Sequence, residues 1–437
     1  MLTPYKKTKH CFERIKNTMK KIISLLLCLL MLAPALVACN NEKTDTANET
    51  TKETEPTKTE TTAKKEEEKT PVKEKQEWPD ESKFTAFHTF KAPEGEPRKI
   101  VMDYMDKMSQ IEWTPAEDFA IKWEGTPDFS PNMNIPFQAG KIYKGTAYGC
   151  KHVSLELFEQ YLNADNQFKS DNYSYENIIG NNCSTTMTLA YQQIVDMPIS
   201  VLKPISERIG LLSLAGDLKI PEDKGDTWYS ADVFALNGQQ AVYDAYTTLE
   251  SGDILYKSIK GTGHTRMVRK VETYTSTAGK IIPSKSYVYV IESTNEWADQ
   301  EQNTLWYVDK KYSFAELYKG EFMPVTLDIY HEENPEYDDA YIAFDSTLTE
   351  DLIKKDVIKG TVSSNFPLNY VMVTITDTDG NIVKRVLEAG LTKSYKVDLR
   401  KMYINIKSLE KGNYTLTLRA GIARGGADLQ TINFTID

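Results

Sequence analysis

Cysteine is scarce: the 437 residues hold five. Two of these, Cys11 and Cys28, fall within the first forty residues ahead of Cys39, so only Cys39, Cys150 and Cys183 lie beyond them. That is too few for a disulfide scaffold, and the most that could form is one bridge, Cys150 to Cys183. Histidine is equally sparse, with five. Neither a His-Glu-x-x-His nor a paired Cys-x-x-Cys spacing occurs, so no metal site and no cofactor is expected. Positive charge is lacking as well. A formal net charge of -11 argues against nucleic acid or anionic lipid as the main partner. Long apolar runs are confined to one, Ile22 to Leu36, about 15 residues where a membrane span needs roughly 20.

That run is preceded by Lys20-Lys21 and ends in Leu36-Val37-Ala38-Cys39. A basic start, an apolar stretch and a small-residue cleavage site make a signal peptide over residues 1–38, with Met19 a better start than Met1. The cysteine directly after the site is similar to the lipobox of bacterial lipoproteins. This resemblance makes Cys39 the lipidated N-terminus of the mature chain, which would sit on the extracytoplasmic face of the membrane. Residues 39–76 are almost entirely Thr, Glu, Lys and Asn, with no aromatic residue and Val72 alone as a large aliphatic after Asn40. Such a segment has too little apolar surface to offset the entropy of ordering it, so it reads as a disordered tether.

The rest of the chain is long enough for two cored domains, expected at 77–333 and 338–437. Pro97 to Ile111 carries Ile100, Met102, Tyr104, Met105 and Met108 at spacings that suit one broad apolar helical face. A shorter helical stretch follows at Ser154 to Leu162. Between them, Gly140 to Gly149 is a Tyr/Gly-rich loop containing Tyr148. The chemistry-bearing stretch is Asn181-Asn182-Cys183-Ser184-Thr185. Met187, Ala190 or Tyr191, and Ile194 follow at helical spacing, which puts Cys183 on the first turn of a helix with Asn182 as N-cap. A helix N-terminus and a nearby imidazole are what lower a thiol pKa and take its proton. Residues 196–248, punctuated by Pro198, Pro204 and Pro221, read as an insertion. Period-two alternation then begins: Ile254-Leu255-Tyr256 after Gly252-Asp253, His264 to Val271, and Tyr287 to Ile291 leading into Glu292.

Taken in order, Asn-Cys-Ser on a helix, Gly-Asp-Ile-Leu, and Gly-His-Thr-Arg-Met-Val resemble the NlpC-like and CHAP-like branch of papain-like cysteine peptidases, over Gly140 to Pro324. The resemblance implies an α+β papain-like domain, with the nucleophile helix packed on an antiparallel sheet. It implies cleavage of amide bonds in peptidoglycan peptides, with Cys183 as nucleophile and His264 as general base. The third group falls at Glu292, Thr294 or Asn295; Glu292 is preferred because a carboxylate both orients and stabilises an imidazolium. Tyr148 resembles the tyrosine that binds the substrate carbonyl in this family, although a packing role suits it nearly as well. Two departures stand out. The Cys183–His264 separation is long, and Arg266 and Met267 stand where the family often has Gly or Ala, a charge that bears on substrate choice. His88, His152 and His331 are expected to be surface or packing residues. The alternatives to a hydrolase are a non-catalytic scaffold on the same fold and a thiol acyltransferase.

The C-terminal hundred residues alternate at Val371-Val373-Ile375, Tyr395-Val397-Leu399, Tyr414-Leu416-Leu418 and Ile432-Phe434-Ile436, with an Asp379-Gly380 turn. This pattern predicts an all-β sandwich that resembles immunoglobulin-like surface modules. No catalytic constellation occurs in it, and spacing, docking or adhesion is its expected job.

Overall fold

The computed structural model describes residues 77–123, 133–198, 202–208, 210–391 and 394–437. The signal segment, Cys39 and the tether expected within 1–76 lie outside the described residues. The described residues, from Glu77 onward, fall in one compact unit of mixed helices and sheets.

At the centre is a six-stranded antiparallel sheet, in the order Trp306–Ser313, Tyr287–Ser293, Thr262–Glu272, Ile254–Ile259, Met323–Leu327 and Leu212–Leu214. Strands with apolar residues in alternation bury one face, and here Ile254, Met267, Val268, Val288 and Val290 go into a common core. Several helices share that core, and two of them bear on the site. One is Pro97–Gln110, with Val101, Met105 and Met108 buried. The other is Cys183–Tyr191, whose Met187, Leu189, Ala190 and Tyr191 are buried. The Cys183 helix is therefore fixed by packing along its length, and its first residue is delivered to the sheet strand that carries His264.

The segment expected as an insertion is built into this core. Leu212–Leu214 is the edge strand beside Met323–Leu327. The helix Ser230–Thr247, broken at Gly238 where φ is 76°, buries Val233, Val242 and Tyr246 against the sheet. The Tyr246 hydroxyl donates to the Phe322 carbonyl at 2.6 Å. A long separation between Cys183 and His264 is thus filled by core structure.

Two further four-stranded antiparallel sheets share a second apolar core. One runs Ile382–Ala389, Tyr370–Thr376, Gly412–Ile422, Gly425–Ile436. The turn before Ile382 uses Gly380 at φ 83°, a conformation that glycine adopts without a Cβ clash. The other runs Ala86–Phe90, Ala340–Phe344, Thr361–Ser364, Lys396–Asp398. Its first strand comes from the N-terminal end, with Ala86 opposite Phe344 and Phe90 opposite Ala340. This sheet therefore takes strands from both sides of residue 335.

The two regions are tied by polar contacts as well. The Arg419 guanidinium pairs with Glu156 at 2.7 Å, and the Tyr370 hydroxyl donates to the same carboxylate at 2.7 Å. Gln193 Nε2 donates to the Ala423 carbonyl at 2.9 Å.

Candidate active site

Asn182 caps the Cys183 helix as its residue type demands. Its side-chain oxygen accepts from the backbone N–H of Ser184 (3.1 Å) and Thr185 (3.0 Å), and Thr185 Oγ1 accepts from the Asn182 N–H at 2.9 Å. This reciprocal box satisfies the N–H groups that a helix start leaves unpaired, and it holds Cys183 at the positive end of the peptide dipoles. Asn181, fully buried, does a different job. Its side chain bonds both the N–H and the carbonyl of Val153 at 2.7 Å, and its N–H donates to the Ala147 carbonyl at 2.9 Å. The Tyr/Gly loop is thereby laid along the helix start. Gly180 permits that approach, because a Cβ there would stand 2.4 Å from the Ala147 carbonyl oxygen.

That loop sets Tyr148 against the thiol. The residue is 8% exposed, and its hydroxyl lies beside Cys183. Burial first, then the neighbouring Cys183, pushes its pKa well above the phenol range, so the hydroxyl stays a proton donor. From the opposite side, the Thr262–Glu272 strand sets the His264 imidazole and the Thr265 N–H beside Cys183, near enough to act on its thiol. His264 Nε2 is bonded to Glu292 Oε2 on the neighbouring strand, which leaves Nδ1 for the thiol proton. Thr294 is buried without touching His264, and Asn295 is exposed, so Glu292 is the member of the three candidates that meets the imidazole.

The electrostatics of these groups are mutually dependent. Burial pushes the Cys183 thiol up, but the His264 hydrogen bond and charge and the Thr265 N–H bring it below the usual thiol value. Burial pulls His264 down, but its bonds to Cys183 and Glu292 raise it to about 9. Burial would raise Glu292, yet the His264 hydrogen bond and the Arg266 charge bring it to about 2. All three shifts run toward the charged forms: thiolate, imidazolium and carboxylate.

Arg266 meets the same carboxylate as His264. Its Nε donates to Glu292 Oε2 at 2.9 Å, and its Cζ lies 3.9 Å from the Tyr312 ring centroid and 4.0 Å from that of Phe322. Met267, next along the strand, is fully buried on the other face. Tyr312, which sequence reasoning did not single out, donates to Glu292 Oε1 at 2.7 Å. The other histidines stand apart. His152 is buried at φ 57° against Gln192 (3.3 Å) and held neutral by burial, with a pKa of about 3. His88 is exposed, and His331 contacts Thr326 Oγ1 at 2.9 Å. Cys150 and Cys183 are both free thiols.

Chemically, a thiolate with an imidazolium beside it and N–H groups around it can attack a carbonyl carbon and return a proton to the departing group. No family model, curated protein or solved structure matches the chain.

One titration follows from these shifts. A group with a lowered pKa is ionised down to that lower value, so Cys183 should alkylate with iodoacetamide much faster than Cys150 at pH 7, because burial raises Cys150 instead. His264 holds its proton up to about pH 9. Any step that draws on that proton should therefore fall off on the alkaline side near pH 9, whereas alkylation should not. Stopped alkylation reactions mapped by peptide mass spectrometry from pH 4 to 10 would measure both thiols. Equal rates for Cys150 and Cys183 would remove the basis for an activated thiol.

Proposed function

We propose that the protein is a cysteine hydrolase of papain-like fold that cleaves amide bonds in cell-wall peptides, held on the extracytoplasmic face of the membrane by a lipid on Cys39. What carries this reading is the convergence of Cys183, His264 and Glu292, which come from a helix start and two neighbouring strands separated by long stretches of sequence. Three groups of this chemistry in hydrogen-bond series match the roles of nucleophile, base and orienter. The signal-like segment and the resemblance to NlpC-like and CHAP-like enzymes supply the address and the substrate class.

In the proposed reaction the Cys183 thiolate bonds to the peptide carbonyl carbon, and the C=O pair moves onto oxygen. The Cys183 backbone N–H and a neighbouring donor stabilise that oxyanion. Collapse breaks the C–N bond, and the His264 imidazolium gives its proton to the departing amine. Water then loses a proton to His264 and attacks the thioester, which releases the carboxylate and restores the thiolate. The test is mass spectrometry of muropeptides incubated with the purified protein. A new amine and a new carboxylate at one amide bond are expected, with the bond identified by the fragment masses. An acyltransferase would give the same acyl-enzyme but pass it to an amine or alcohol. A scaffold would give no product, and that outcome would favour the non-catalytic alternative.

The anchoring part has its own test. Cys39→Ala should release the protein from the membrane fraction and abolish incorporation of labelled fatty acid. Retention of acyl label in that variant would overturn the lipobox reading. Among the described residues no helix is long and apolar enough to cross a membrane.

The two sheets of the C-terminal region, proposed as an immunoglobulin-like sandwich, carry the expected spacing or docking role as part of the same proposal.

A further inference from the structure

Arg266 carries the observation that the reading above leaves unused. It is a guanidinium only 14% exposed, gripped between the rings of Tyr312 and Phe322, with its Nε on the same carboxylate oxygen that bonds His264. A buried guanidinium between two aromatic faces is held in orientation by stacking and by its planar fork, and cannot shed its proton. From these contacts we infer that Arg266 is a positioning residue that closes a chain of four alternating charges, Cys183 thiolate, His264 imidazolium, Glu292 carboxylate and Arg266 guanidinium, and so keeps the buried site electrically neutral while the thiol is ionised.

The inference rests on the thiol-hydrolase reading for its purpose and on geometry for its content. With Arg266 present the two anions and two cations cancel. Without it, a thiolate at the site would leave a net negative charge in a volume where Cys183 is 9% and Glu292 is 2% exposed. Uncompensated buried charge is expensive, and the least costly relief is protonation of the thiolate.

The surrounding groups do not replace the guanidinium. The phenols of Tyr148, Tyr175 and Tyr256 about the thiol, and of Tyr307 and Tyr312 about the carboxylate, are all pushed up and stay neutral. Lys257, opposite His264 in the strand register, lies over the Phe322 ring at 5.8 Å and Lys310 over the Tyr307 ring at 3.3 Å, while the ion pairs of Glu292 are with His264 and Arg266. Arg208 acts on the Tyr256 side of the site.

The experiment uses the full chain and no substrate. Alkylation of Cys183 is followed from pH 4 to 10 in the parent, in Arg266→Met, which fills the gap between the rings without charge, and in Arg266→Lys. The acid limb of Arg266→Met should move up by about one pH unit, which is about a tenfold slower reaction at a pH below both limbs. Arg266→Lys should recover part of that shift, since it restores charge but not the planar stack. Thermal unfolding shows which variants are folded, and if the Met variant is not, the Lys variant against the parent decides, because a shift of the same sign is expected there. An unmoved acid limb in folded Arg266→Met, or in folded Arg266→Lys when the Met variant is unfolded, overturns the inference. A parent in which Cys183 reacts no faster than Cys150 overturns the thiol reading instead, and the two failures are told apart in one data set.

Discussion

Cys183→Ala and His264→Ala should each lower hydrolysis of wall peptide by at least about a thousandfold, and the double variant should be barely worse than either. Nucleophile and base act as one unit, so once one is gone the other has little left to do. Glu292→Gln should retain measurable activity, because an amide oxygen can still accept from His264 Nε2 while it stabilises the imidazolium less. The measurement is product formation by folded variants, each with its unfolding curve. Cys183→Ala and His264→Ala remove no large core volume and should match the parent curve, whereas Glu292→Gln leaves the buried Arg266 without its carboxylate and should unfold earlier, so it is assayed below its own transition. Full activity in Cys183→Ala would end the thiol mechanism.

The second large effect is on stability and lies away from the thiol. Asp253 is 1% exposed and pairs with Arg98 Nη1 at 2.9 Å, accepts from the Thr326 hydroxyl at 2.7 Å, and accepts from the Glu250 N–H at 2.8 Å. Arg98 in turn stacks 4.2 Å over Tyr330. These bonds pin the Pro97–Gln110 helix to the sheet. Asp253→Ala leaves Arg98 at 17% exposure with Glu250 as its remaining carboxylate, and breaking such a pair costs about 3–5 kcal/mol. Asp253→Asn keeps the shape and should cost less. Denaturant unfolding of both variants checks this, with the Cys183 alkylation rate in the folded protein expected to stay at the parent value. An Asp253→Ala loss below about 1 kcal/mol would show that the pair is not what holds the helix.

Asp253 also shows where sequence reading reached its limit. Gly252-Asp253-Ile254 was legible as a marker of the strand that precedes His264, but the carboxylate's partners come from Arg98 and Thr326, which no local pattern connects to it. Cys183 and His264 were legible as candidates because thiol and imidazole are rare here and because the helix-start signature is local, and Glu292 only as the preferred one of three positions that the resemblance left open. Arg266 and Tyr312 were not legible as partners of Glu292. Their approach depends on strand register, and the register shifts between Tyr289 and Val290 on one side and between Val290 and Ile291 on the other. A bulge moves a side chain relative to its neighbours without leaving a reliable mark in the alternation. The segment 196–248 reads as an insertion, and its part in the core leaves no local mark: its strand is three residues long, too short for periodicity.

The strand Ala86–Phe90 has a consequence for how the protein is made. Thr85 and its partner Phe344 are 259 residues apart in the chain. At a synthesis rate of about 5–20 residues per second, that strand emerges on the order of ten seconds to a minute before the strand it must join exists. During this interval Ala86–Phe90 is an unpaired edge, and afterwards Ala340–Phe344 remains one until the early strand finds it. A fragment beginning near residue 338 would keep that edge permanently open and should associate through it. Excision of the C-terminal sheets is thus expected to yield a sticky domain, and the newborn chain has reason to be kept from its neighbours until its last hundred residues arrive.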